Sequence, residues 1–270
     1  PPPPGWPEWP GLECAGVISE VGANSRWQVG DEVCALLGGG GYAEKISVPE
    51  ELILPLPKGY SMIEGAALPE VFATAYLNLF LEAGMKEGDT VLIQAGASGL
   101  GIAAIQLAKA IGAKVVTTVG SEDKAAFVEK LGADIIVRRK EEKLSEVLAK
   151  QEVDIALDCV GGEAFGECFE TMAHGGRWVL IATLAGNSSE VALRQVLMKN
   201  LRLIGSTLRS RSNEVKGKVL KDLEDKFWPE LEKRKLFPVI YEVLPAQNAQ
   251  EAQQILVDQK NIGKVILTWK

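Results

Sequence analysis

The sequence predicts an α/β protein: a doubly wound parallel sheet accompanied by a smaller unit rich in β structure. Three observations lead there. In the middle of the chain, apolar strand-like runs alternate with helix-like segments. Those runs are apolar almost throughout, as a sheet covered on both faces requires. Toward both ends the alternation stops, and short β-like segments separated by turns take over.

The central strands read as residues 90–94, 114–119, 134–137, 154–158, 177–182 and 202–206. Helices are expected between them over 99–111, 122–131, 141–150, 163–173 and 191–200. Ser121 is placed to cap the helix beginning at Glu122, where Glu122 and Asp123 suit the positive end of the helix dipole. Gly132 is placed to end that helix. The helix from Gly99 is apolar nearly all round, which predicts burial on most sides. Before this block, residues 14–21, 32–37 and 42–48 read as strands, with Gly38–Gly41 as a flexible loop. After it, 239–244 and 264–269 read as strands, and Asn248 with Glu251 reads as a capping box for a helix over 249–259. The expected division is residues 71–208 for the parallel-sheet domain, with 1–70 and 209–270 forming the other.

Composition narrows the function. The 270 residues are 47% hydrophobic and 24% charged, ordinary globular values. A net charge of −7 argues against a nucleic-acid partner, which needs clustered positive potential. No apolar run approaches a membrane span, so no membrane partner is expected. No charged leader precedes an apolar stretch, and cytoplasmic residence is the expectation. The four cysteines form no CxxC pair and read as free thiols.

The strongest local signal is Thr90-Val-Leu-Ile-Gln-Ala-Gly-Ala-Ser-Gly-Leu-Gly101. An apolar strand runs into Gly96, Ser98, Gly99, Leu100 and Gly101 and then into a helix. A dinucleotide site needs a tight turn there, small residues where backbone meets pyrophosphate, and a glycine where helix and strand pack closely. The phosphates sit at the helix N-terminus, facing free N–H groups. Ser98 takes the place of the second glycine and is small enough to admit them. The next strand ends Val119-Gly120-Ser121, with no carboxylate at its tip to hold a ribose 2′-hydroxyl. Lys124 and Arg138 are candidates to neutralise a 2′-phosphate, so NADPH is the expected cofactor. A solvated surface charge is the competing reading of each, most of all for Arg138 beside Arg139 and Lys140.

Taken in order, Gly11-Leu-Glu-Cys-Ala-Gly-Val-Ile-Ser-Glu-Val-Gly22, Val29-Gly-Asp-Glu-Val33, Tyr42-Ala-Glu44, Ala95-Gly-Ala-Ser-Gly-Leu-Gly101, Leu131-Gly-Ala-Asp134, Leu208-Arg-Ser-Arg211 and Asn261-Ile-Gly-Lys264 span nearly the whole chain. In these motifs the sequence resembles the medium-chain dehydrogenase/reductase superfamily, in its zinc-independent quinone oxidoreductase branch. The resemblance implies a Rossmann domain beside a GroES-like, partly open β-barrel, with the active site in the cleft between. It implies a homodimer, and NADPH delivering hydride to a quinone or related conjugated carbonyl. It assigns Thr74 to the nicotinamide and Gly99 and Leu100 to the pyrophosphate. Ser121, Lys124 and Arg138 then fall around the adenosine phosphate. Cys159, Thr207, Leu208, Arg209 and Lys264 match other cofactor positions. Thr74 also reads as a plain helix-lining hydroxyl, and Tyr42 is a weak catalytic candidate against a strand-start aromatic.

Two departures stand out. Zinc-dependent relatives carry Gly-His-Glu where this chain has Gly11-Leu12-Glu13, and Glu70 stands where another ligand is usually Cys. Catalytic zinc needs three protein ligands, no recognisable set is present, and no metal is expected. His174, the single histidine, reads as a turn residue. The family also begins with strands ahead of the equivalent of Pro1, carrying polar residues that touch nicotinamide and substrate, so the barrel is expected to be N-terminally incomplete. Three functions remain open at this point: quinone reduction, reduction of an enone, alkenal or enoyl thioester, and NADP(H) binding with little activity.

Overall fold

A computed structural model describes residues 2–269. The chain folds as two compact units, Pro1–Thr74 with Leu208–Lys270, and Ala75–Thr207.

The first unit opens with β1 (Glu13–Val17), β2 (Glu32–Leu36) and β3 (Ile53–Pro55), an antiparallel sheet in the order β1-β2-β3. Cys34, Leu36 and Leu54 on these strands, and Leu52 in the 3₁₀ turn before β3, are almost inaccessible to water. A short helix α1 (Met62–Gly65) follows, and here a full capping box forms: Ser61 accepts from Glu64 N–H while the Glu64 carboxylate accepts from Ser61 N–H. Helix α2 (Pro69–Tyr76) begins with a proline, whose missing N–H costs nothing in a first turn. It continues as a π-helical stretch, Leu77–Glu82.

The second unit is built on six parallel strands: β4 (Thr90–Ile93), β5 (Lys114–Val119), β6 (Ile135–Arg138), β7 (Ile155–Asp158), β8 (Arg177–Leu180) and β9 (Arg202–Gly205). Their order is β6-β5-β4-β7-β8-β9. The order reverses direction between β4 and β7, the switch point at which such sheets bind ligands. Helices α3 (Gly99–Ala110), α4 (Glu122–Lys130), α5 (Leu144–Leu148), α6 (Ala164–Glu170) and α7 (Leu193–Lys199) make the crossovers. Every residue of α3 from Gly101 to Ala108 is buried, as its all-round apolar sequence requires. Under β7 and β8, the fully buried Trp178 meets Phe165 and Phe169 edge-on, at ring separations of 5.2 and 6.1 Å.

The chain then returns to the first unit with α8 (Asn213–Glu232), β10 (Ile240–Pro245), α9 (Ala249–Val257) and β11 (Lys264–Thr268). Strands β10 and β11 pair in parallel. Ser212 caps α8, its hydroxyl accepting from Val215 N–H at 3.3 Å. Val219, Leu220, Leu223, Phe227, Trp228 and Leu231 form the buried face of α8, and the Trp228 indole donates to Pro55 O at 3.0 Å. Among the described residues no helix is long and apolar enough to cross a membrane.

The structure corrects several local expectations. Residues 42–48 form no strand; Tyr42 N–H bonds to Pro10 O, but no ladder partner runs beside the segment among the described residues. The helix expected from 141 starts at Leu144, because the N–H groups of Glu141 and Glu142 turn back onto Arg138 O. Ser121 makes no side-chain cap; it is exposed, where water competes for the hydroxyl, and α4 starts on the Ala125 N–H bond to Ser121 O. Asn248 closes a 3₁₀ turn rather than standing extended, so its amide reaches the Glu251 carboxylate at 2.8 Å instead of the backbone.

Candidate active site

In the second unit, β4 ends in a sharp turn. Ala95 adopts a left-handed conformation (φ 55°), which a residue with a Cβ takes only when its surroundings hold it there. Thr118 Oγ1 accepts from Ala95 N–H at 3.0 Å, and Gly96 N–H bonds to Thr118 O at 3.0 Å. A Cβ on Gly101 would lie 2.4 Å from Ala95 O and 2.6 Å from Gly96 Cα, so only glycine lets α3 start this close to the turn. Ser98 caps α3: its hydroxyl accepts from Gly101 N–H at 3.0 Å, and its carbonyl accepts the first intrahelical bond, from Ile102. The N–H groups of Gly99 and Leu100 precede that bond and stand at the positive end of a mostly buried helix. Those donors and small residues fit a dinucleotide pyrophosphate.

At the tip of β5, Gly120 lies under the guanidinium of Arg139; a Cβ on Gly120 would be 3.0 Å from it. Arg139 also acts on Lys124, whose ammonium pKa is pushed down first by burial and then by that neighbouring charge. Lys124 and Arg139 thus share one corner with Gly120. Arg138 faces elsewhere. Its guanidinium grips the Glu122 carboxylate in two hydrogen bonds of 2.7 and 2.9 Å, and Ser121 beside it is exposed. Arg139 was absent from the sequence expectation because it looked like part of a solvated run; the return of its side chain over Gly120 is a tertiary fact.

Cys159 follows β7 directly, its thiol pushed up to about 11 by burial and by Asp158. Asp158 is fully buried and accepts from Gln94 Nε2 (2.8 Å), Val160 N–H (2.7 Å), Gly161 N–H (3.1 Å) and Trp178 Nε1 (3.0 Å). Burial still outweighs these donors and raises its pKa. This carboxylate shapes the 158–161 turn at the end of the strand beside the switch point. Thr207 is exposed.

In the first unit, several candidates meet around two carboxylates that the sequence reading did not select. Thr74, buried on α2, donates from Oγ1 to Glu70 Oε1 at 3.1 Å. Glu70 N–H bonds to Glu13 Oε2 at 3.0 Å, and the Glu13 carboxylate is ion-paired with Lys264 Nζ. Burial works against the charge on Lys264, but Glu13 and Glu70 together hold its pKa above the ordinary value, and Tyr42 is near enough to contribute. For Glu70, burial dominates and raises the pKa; Glu13 adds to this, while Lys264 and Thr74 oppose it. The i, i+4 spacing of Glu70 and Thr74 was the signal that could have found the pair.

Leu208 is buried, and Arg209 Nε donates to Gly38 O at 3.0 Å, fastening the glycine loop. The Lys216 ammonium, on α8, is buried without a hydrogen-bond partner, its pKa lowered by burial and then by Arg209.

Residues 2–58 match the family model described as alcohol dehydrogenase GroES-like domain, and residues 99–225 match the one described as zinc-binding dehydrogenase. The chain is 31% identical to the quinone oxidoreductase of Mus musculus over 273 residues, covering 98% of this chain and 81% of that protein. Among solved structures it is similar to an NAD-dependent alcohol dehydrogenase, with TM-score 0.83, 30% identity, and coverage of 99% of this chain and 85% of that one. Against the quinone oxidoreductase of Thermus thermophilus, solved also in complex with NADPH, the TM-score is 0.79 at 32% identity, covering 96% and 80% of the two chains. Against the JamJ enoyl reductase it is 0.85 at 27% identity, covering 96% and 78%. The parallel six-stranded unit is therefore a Rossmann fold, its companion is GroES-like, and the chain belongs to the medium-chain dehydrogenase/reductase superfamily, in its quinone oxidoreductase branch.

Proposed function

We propose that this chain is an NADPH-dependent, zinc-independent oxidoreductase that reduces a quinone or related conjugated carbonyl by hydride transfer. The observation that carries the cofactor choice is the corner formed by Gly120, Lys124 and Arg139. The strand tip that would offer a carboxylate to a ribose hydroxyl carries a glycine instead, with two cations at hand. When bound, NADPH supplies the hydride. The Gly99 and Leu100 N–H groups hold its pyrophosphate, and Lys124 with Arg139 holds its 2′-phosphate. Thr74 lies at the position assigned beside the nicotinamide.

Zinc has no place in this reading. Leu12 offers no ligand atom, and Glu13, the neighbouring carboxylate, is taken up by Lys264. Turnover is expected to be unaffected by chelators.

The likeness to an enoyl reductase favours a second reading, reduction of an enone or enoyl thioester by the same hydride chemistry. We place quinone reduction first because a relative that this chain matches along most of its length carries that activity in its name. The two are separated by following NADPH absorbance with an ortho-quinone and with an alkenal as alternative acceptors. Faster oxidation with the quinone supports the first reading, and the reverse order supports the second. Binding without oxidation by either supports an NADP(H)-binding protein.

We further propose a homodimer formed along β9. This strand ends the six-stranded sheet, leaving one backbone edge without a ladder partner among the described residues, and Leu203 on it is 52% exposed. Leu193, Leu197 and Met198 on the preceding α7 are also exposed, giving an apolar surface that a second copy would cover.

A further inference from the structure

We infer that Glu70 and Thr74 form a proton relay, in which the Glu70 carboxyl supplies, through the Thr74 hydroxyl, the proton that completes reduction of the acceptor. The inference rests on the hydride-transfer reading above and adds the acid that reading lacked. Glu70 and Thr74 lie four residues apart on α2, so their side chains share one face, and their oxygens are 3.1 Å apart. The charged groups facing Glu70 come from two other elements. Glu13 on β1 accepts from the Glu70 N–H, and Lys264 on β11 is bonded to Glu13; Tyr42, on the loop after Gly41, acts on Lys264.

One ammonium serves two carboxylates in a partly buried place. Lys264 is ion-paired with Glu13, and no ion pair to Glu70 is present among the described residues. In the relay Glu70 is the group that holds the proton, and burial pushes its pKa up. The hydrogen bond to Thr74 then gains a direction. An ionised Glu70 accepts from the Thr74 hydroxyl. A protonated Glu70 donates to the Thr74 oxygen, which turns the Thr74 hydrogen toward another acceptor.

The step balances. Hydride from the cofactor brings two electrons and one hydrogen to the quinone and leaves an anionic oxygen. The Thr74 O–H bond breaks as the new O–H bond forms on that oxygen. The Glu70 O–H bond breaks as the Thr74 O–H bond is restored. Glu70 is left as a carboxylate, held by the Lys264 charge until solvent returns a proton.

The test uses the whole chain and the variants E70Q and T74V. Infrared difference spectra of wild type against E70Q, taken about one pH unit above the ordinary carboxylate range, should show a protonated carboxyl band belonging to Glu70. Fluorescence titration should show NADPH affinity within about 2-fold of wild type in E70Q, since that side chain carries no phosphate contact. Reduction of 9,10-phenanthrenequinone should fall by roughly 10-fold or more in both variants, the scale of a lost general acid. The wild-type rate should decline as pH rises through the Glu70 titration, and E70Q should lose that decline. The 10-methylacridinium cation accepts hydride at carbon and needs no proton, so its reduction should fall much less than that of the quinone. A quinone rate and pH profile in E70Q equal to wild type would overturn the relay alone, as would absence of the carboxyl band. Equal losses with quinone and acridinium would also overturn it, showing a structural role. A wild type that oxidises NADPH with neither acceptor would overturn the hydride-transfer reading, and the relay with it.

Discussion

Arg138 and Glu122 are joined by two hydrogen bonds of 2.7 and 2.9 Å, a fork-to-carboxylate pair at the start of α4. Both side chains are exposed by more than a third, so the pair adds little to stability. Its consequence concerns the cofactor. With Arg138 occupied, the cations that share the β5 tip with Gly120 are Lys124 and Arg139. Replacing Arg139 by Ala is therefore expected to weaken NADPH binding by about 10–100-fold, the scale of a charge-assisted bond to phosphate. NADH binding should change little. Arg138→Ala should cost NADPH much less than Arg139→Ala; parallel fluorescence titrations of the two variants check this order.

The turn between β4 and α3 makes a separate demand. Gly101→Ala would place a methyl 2.4 Å from Ala95 O, against backbone that cannot give way cheaply. Overpacking of this kind costs about 1–3 kcal/mol, and it displaces the helix end that faces the pyrophosphate. Thermal melts should show lower stability, and NADPH and NADH affinities should fall together. Ser98→Ala removes the cap and should cost about 1 kcal/mol.

Glu64 gives a pH prediction. Its carboxylate is held by Arg234, and by the Ser61 N–H at 2.8 Å, so its pKa is pulled down to about 2. A depressed carboxyl pKa stabilises the fold above the unfolded-state value of about 4.3, and that contribution is lost as pH falls toward the folded value. Glu64→Gln keeps a side chain able to cap but loses the charge paired with Arg234, so it should be less stable than wild type near neutral pH, by up to about 1 kcal/mol. The gap should close as pH is lowered from about 4.3 toward 2. Urea melts across that range read it directly.

The β9 edge is tested by Leu203→Lys. A charge on an exposed edge strand opposes pairing with another copy. Sedimentation should show a dimer for wild type and a monomer for the variant, with the fold unchanged by circular dichroism.

Much of the fold was legible because the physics behind it is local. Strands β4, β5 and β7 are buried on both faces and so read as largely apolar runs, and the Gly96–Gly101 turn permits few other residues. Helix α8 was not anticipated, although Val219, Leu223 and Phe227 repeat at helical spacing after the Ser212 cap; Pro229 inside its last turn reads as a breaker. The site divided in the same way. Gly99, Leu100 and Lys124 were marked by a sequence pattern. Arg139 was not, because its position over Gly120 depends on how residues 139–142 turn after β6. Glu13 was noticed only as a remnant of a zinc motif, since its ion pair joins β1 to Lys264 near the other end of the chain.

The central claim is that this chain binds NADPH through the corner at Gly120 and spends its hydride on a conjugated carbonyl. Titration with NADPH and NADH in parallel, followed by addition of an ortho-quinone while cofactor absorbance is recorded, tests it most directly. Tighter binding of NADPH than NADH and rapid oxidation on adding the quinone is the predicted result. Equal affinity for the two nucleotides would contradict the role given to Lys124 and Arg139, and binding of neither would contradict the cofactor assignment as a whole.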